Sequence, residues 1–103
     1  MTKIFTEVYR LVKTVPRGKV VTYGQVSELI PGCTPRVVGY AMASINDASI
    51  PWHRVINSKG EVSPRAWGDN AITQQELLVQ EGIEFNDRGK LDLKKYRFQL
   101  DDI

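Results

Sequence analysis

The 103-residue chain has 42% hydrophobic residues and 14 Lys/Arg against 12 Asp/Glu, the proportions of a globular protein with enough chain for one modest core but not for two. No apolar run approaches the roughly 20 residues that span a bilayer. The N-terminal MTKIFTEVYR lacks the basic-then-apolar order of a secretory leader and the single Cys33 cannot form an internal disulfide, which sets aside the membrane, exported and disulfide-framework classes and favours a cytoplasmic protein.

The net charge of +2 is unevenly spread. Residues 1–65 carry nine Lys/Arg and four Asp/Glu, whereas 66–103 carry five and eight. A basic first part suits an anionic partner, although a solvated basic face reads the same way. Ile4, Phe5, Val8, Leu11, Val12 and Val15 recur at helical spacing after Thr2 and stop at Pro16-Arg17-Gly18, which predicts an amphipathic first helix. KVVTY reads as a short β-branched strand. Thr22 with Gln25 three residues on is a capping-box pattern, opening a second, short helix that ends at Pro31-Gly32.

Thr34 followed by Pro35 predicts the start of a third helix. Val38, Ala41, Met42 and Ile45 form its apolar stripe, and Arg36, Val37, Gly39, Tyr40 and Ala43 its other face. Two helices joined by a tight turn match a helix-turn-helix, a weak signal when taken alone. HRVINSKGEVS predicts two β-prone pieces about Ser58-Lys59-Gly60, a hairpin or wing. A loop is expected through PRAWGDN, a helix from Ile72 to Gln80 closed by Gly82, and two short strands about Asn86 to Gly89. The fold class expected is a small α/β single domain over residues 1–103, mostly helical, with a winged helix-turn-helix core.

VPRGKVVTYGQV, TPRVVGYAM, IPWHRVINSKGEV and ELLVQEG together resemble, in order and spacing, the DNA-binding domain of the O6-alkylguanine-DNA alkyltransferases over roughly residues 3 to 85. In that family a cysteine stands between the proline and the histidine and accepts the alkyl group; here the position is Trp52. Replacement of that cysteine marks the alkyltransferase-like proteins, which this chain resembles. Dealkylation needs an activated thiolate, and an indole nitrogen offers neither a usable lone pair nor an accessible anion. His53 and Glu81 are then expected to persist as a hydrogen-bonded support beneath the pocket, alongside Pro51, Arg54 and Asn46, the last ordering the turn into it.

The resemblance further implies that Arg36 fills the stack vacated by a flipped nucleotide, that Tyr23 presses on its phosphate, and that Gly39 and Ala43, beside Val37, admit the helix to the minor groove. Trp52 is expected to meet the flipped base, and Arg65 to lie over it or to contact a phosphate. Trp67 is expected to anchor its loop. One histidine and one cysteine leave no recognisable zinc site, and no cofactor is implied. The partners implied are double-stranded DNA containing O6-alkylguanine and nucleotide excision repair proteins, met by a monomer. Two alternatives stay open from the sequence: residual alkyl transfer to Cys33 or another acceptor, and a sequence-specific helix-turn-helix regulator.

Overall fold

A computed structural model of the chain describes residues 3–45, 47–62 and 70–100. Helix α1, Lys3–Lys13, buries Val8, Leu11 and Val12, and its closing Arg10 and Lys13 sit where the helix dipole favours cations. Its buried stripe meets α2 (Tyr23–Glu28) and α3 (Pro35–Ala43). The Tyr9 hydroxyl donates to the Ala41 carbonyl at 2.8 Å, tying α1 to α3. Both later helices begin where their caps place them. The Thr22 hydroxyl accepts from the Gln25 N–H at 3.1 Å while the Gln25 side chain accepts from the Thr22 N–H at 3.0 Å, and Thr34 accepts from the Val37 N–H at 3.3 Å. These bonds satisfy helix-end donors that otherwise lack partners.

The helical pair is the crossover between two parallel strands. β1 (Val21–Thr22) pairs with β2 (Val55–Ile56) in the register Val21 to Val55 and Thr22 to Ile56. On the other edge of β1, Val20 exchanges hydrogen bonds with Tyr96 and Phe98, at 2.9 and 2.8 Å, in a parallel bridge to Arg97. Two buried clusters flank this ribbon. The larger gathers α1, α2 and α3 around Val12, Val26, Val38 and Met42. The smaller joins Val20, Ile56, Leu78, Ile83, Leu91 and Tyr96. Helix α4, Asn70–Gln80, starts two residues earlier than its apolar pattern suggested. It ends in a left-handed Gly82 (φ 93°), with the Ile83 and Gly82 N–H groups donating to Leu78 and Val79.

Three strand expectations are overturned, among them the piece before the Asn86 turn, where residues 83–85 form no strand. At residues 57–61 the turn is present, with Asn57 N–H to Glu61 O at 3.2 Å, but Glu61 and Val62 form no strand. The wing's turn instead docks on the C-terminal segment: Leu91 N–H donates to Gly60 O at 2.9 Å, and a β-carbon at Gly60 would stand 2.7 Å from the Leu91 carbonyl oxygen. After the expected Asn86–Gly89 turn, the second predicted strand is replaced by a short helix, α5 (Leu93–Tyr96), because Asp92 caps it by accepting from Lys94 N–H at 3.0 Å. Ile45 lies beyond the last turn of α3 and is half-buried. No helix among the described residues is long and apolar enough to cross a membrane.

Candidate nucleic-acid interface

Ile50 and Pro51 lead into a 3-10 turn, Trp52–Arg54, immediately before β2. The turn is closed by Arg54 N–H to Pro51 O at 3.0 Å and held from below by one carboxylate. Glu81 Oε2 lies 2.7 Å from His53 Nε2 and 2.8 Å from Arg54 Nη2, and Oε1 accepts from Arg54 Nε and from the Gly18 N–H, both at 3.0 Å. Arg54 Nη1 also donates to the Val15 carbonyl at 2.9 Å. The Glu81 side chain is only 5% exposed. Burial pushes its carboxyl up, yet the donated hydrogen bonds of Arg54, Gly18 and His53 outweigh that and bring it down from 4.5 to about 2. The expected support of His53, Arg54 and Glu81 is therefore one assembled cradle.

Gln74 belongs to it as well, and the sequence reading missed it. Its amide donates to the His53 and Val55 carbonyls at 3.1 and 2.8 Å, bridging the turn from α4. The residue is 1% exposed, and its Oε1 has no partner among the described residues. The signal that would have found it is the spacing Gln74, Leu78, Glu81, which sets three inward positions on one face of α4 and its end.

Above the cradle Trp52 is half-buried and packs against the larger core, its ring edge-on to His53 at 6.2 Å between centroids. A cleft of ≈610 Å³ opens beside it, bounded by the Asp47–Pro51 loop, Trp52, His53, Arg54, Leu77 and Lys13. Cys33, on the turn between α2 and α3, is partly buried. Burial raises its thiol pKa, partly offset by a backbone hydrogen bond at Thr34. That shift lowers the thiolate fraction a nucleophile needs.

The second part of the site is the outward side of α3. Arg36, Tyr40 and Ala43 are exposed there, with Gly39 and Val37 half-exposed, and α3 carries no acidic residue. A β-carbon built on Gly39 would meet no atom of the described residues within 4 Å. Tyr23 opens α2 directly after the capping threonine, half-buried against the larger core that also receives Trp52. Asn46, Arg65 and Trp67 lie outside the described residues. Among the described residues there is no group of three or more His, Cys, Asp and Glu able to hold a metal ion.

The model of the 6-O-methylguanine DNA methyltransferase DNA-binding domain matches residues 3–83. A DNA base-flipping protein of Vibrio parahaemolyticus is 36% identical over 102 residues, covering 96% of this chain and 99% of that one. Alkyltransferase-like protein 1 of Schizosaccharomyces pombe is 36% identical over 106 residues, covering 96% and 97%. The crystal structure of S. pombe Atl1 in complex with damaged DNA containing O6-carboxymethylguanine superposes with a TM-score of 0.84 at 37% identity, covering 96% of this chain and 97% of that one.

Proposed function

The chain belongs to the family of the 6-O-methylguanine DNA methyltransferase DNA-binding domain, and from that premise we propose that it recognises O6-alkylguanine in duplex DNA by flipping the nucleotide and holds the base without dealkylating it. A base in the stack hides its O6 substituent, so inspection requires extrusion at a cost of a few kcal/mol, less where alkylation has already weakened the pair. Arg36, exposed at the start of α3, enters through the minor groove and occupies the vacated stack. Tyr23 turns the phosphate. The extruded base comes to rest on Trp52, where aromatic stacking contributes about 1–3 kcal/mol and each buried methylene of the alkyl group about 0.8 kcal/mol. These contributions are large enough to offset extrusion.

The observation that carries this reading is the intact cradle beneath an indole. His53, Arg54, Glu81 and Gln74 hold the Trp52 turn in place through hydrogen bonds between 2.7 and 3.1 Å, while the side chain they present has no nucleophilic atom. Gly39 supports the docking direction. Glycine inside a helix is about 1 kcal/mol less favourable than alanine, and no neighbouring atom among the described residues requires it here. A partner that approaches closely does.

In this reading Pro51 and Asn46 shape the entry to the pocket, Arg65 covers the base, and Val37 and Ala43 line the groove contact. The whole of residues 1–103 acts as one monomeric binding unit, in the cytoplasm or on the nucleoid of a bacterium, and the bound lesion is handed to nucleotide excision repair proteins. Competition binding with matched and O6-methylguanine duplexes, followed by intact mass, tests it. Preference for the lesion with no added 14-dalton methylene, the mass gain of one methyl transfer, supports the proposal. Stoichiometric mass gain makes the protein a transferase, and preference for one undamaged sequence makes it a regulator.

A further inference from the structure

Tyr40 has no part in the scheme above, and its placement is unusual for the face it occupies. It is 57% exposed, while its neighbours on that side of α3 include Gly39 and Ala43, whose smallness leaves room for a groove. Its hydroxyl makes no hydrogen bond among the described residues, whereas its carbonyl is engaged by the Ser44 N–H and hydroxyl at 3.1 and 2.9 Å. The backbone of that turn is therefore fixed, and the phenol is presented outward. Tyr40 stands four residues after Arg36, so the two share one helix face, separated by about 6 Å along the axis. That distance corresponds to about two base steps of 3.4 Å.

We propose that Tyr40 is a second groove contact, one that meets the minor groove about two pairs from the nucleotide Arg36 displaces and holds the protein to damaged and undamaged duplex alike. The chemistry fits. A phenol presents a flat apolar ring to the sugar wall and a hydroxyl able to donate to the N3 and O2 acceptors of the groove floor or to accept from a guanine amino group. Contact of this kind does not distinguish damaged from undamaged pairs, because every base pair offers such edges. It holds the protein to the duplex. This rests on the flipping reading for the place of Arg36, but its consequence is measurable on undamaged DNA.

Equilibrium binding of Tyr40→Ala and Tyr40→Phe to matched and O6-methylguanine duplexes tests it. Tyr40→Ala is expected to weaken both complexes by the same factor, about 3- to 10-fold, with Tyr40→Phe between it and the parent chain. The ratio of the two affinities is then preserved, which is the opposite of what loss of Arg36 does. Unchanged affinity of Tyr40→Ala for both duplexes overturns the contact, and a fall for the lesion duplex alone overturns its indifference to the lesion. A covalent trap fixes the groove. Tyr40→Cys on a Cys33→Ser background should exchange with a disulfide tether on a guanine N2 placed two pairs from the lesion, and not with one on a thymine C5 in the major groove. Trapping from the major groove alone overturns the proposal. If no duplex shows lesion preference while Tyr40→Ala still lowers binding, the flipping reading fails and the Tyr40 contact stands.

Discussion

The cradle beneath Trp52 and the outward side of α3 solve opposite problems. In the cradle almost every polar group is committed within the chain: one carboxylate receives the Arg54 guanidinium, His53 and a backbone N–H from a third segment, and Gln74 is 1% exposed. On α3 the polar groups are uncommitted, with an exposed Arg36, an exposed phenol and a glycine that has open space about it. Charges taken out of water must be paired or they destabilise the fold, whereas charges left in water are available to a partner. The lesson is that one region is tied up within the fold while the other leaves its polar groups to solvent. Changes in the cradle should appear as lost stability, and changes on α3 as lost binding by a protein that remains folded.

The sharpest way to break that division is Glu81→Ala. It strands the Arg54 guanidinium and removes the acceptor for three donors, so unfolding free energy should fall by about 3–5 kcal/mol, read from urea denaturation. A loss of DNA affinity with the parent's stability would show that the cradle contacts DNA and would erase the distinction. Acid titration probes the same group without mutation. The carboxyl ionises at about 2 in the folded chain against 4.5 ordinarily, so its contribution is complete above pH 4.5 and is lost as pH falls toward 2. The amount is on the order of 3 kcal/mol, and Glu81→Gln should flatten that limb of the stability profile.

On the other side, Arg36→Ala should cost lesion affinity about 1–3 kcal/mol, the scale of a lost stacking partner, with the thermal midpoint unchanged. A lowered midpoint would move Arg36 into the fold. Trp52→Ala should cost a similar amount for the O6-methylguanine duplex and nothing for the matched one, while Trp52→Phe retains part of the stack; equal losses on both duplexes would place Trp52 outside the base contact. The smallest effect sharpens the comparison most. Gly39→Ala should stabilise the free protein by about 0.5–1 kcal/mol, since glycine in a helix is entropically costly, and should weaken DNA binding. Tighter binding together with higher stability would mean that nothing presses on that face.

Much of the α3 side was legible in the sequence because caps and stripes are local signals. Thr22 with Gln25 and Thr34 with Pro35 fix helix starts through bonds spanning three residues. The cradle was legible only in part. His53 with Glu81 came from resemblance, whereas Gly18, Val15 and Gln74 join it through contacts as far as 63 residues apart that no window displays. The failed strand expectations came from β-prone stretches of sequence. Leu91 and Leu93 alternate like a strand, but Asp92 between them offers a cap, and the segment's bridge among the described residues joins Arg97 to Val20, 77 positions back in the chain. Local alternation cannot say whether an edge is there to receive it.

Because α2 and α3 form the crossover between β1 and β2, the helical pair as a whole is bounded by the same parallel pair. Closing that pair means bringing Val21 and Val55 together first, and such non-local closure is slow compared with local helix formation. The helices therefore gain their fixed orientation late, in a step that also sets the Trp52 turn, since it runs straight into β2.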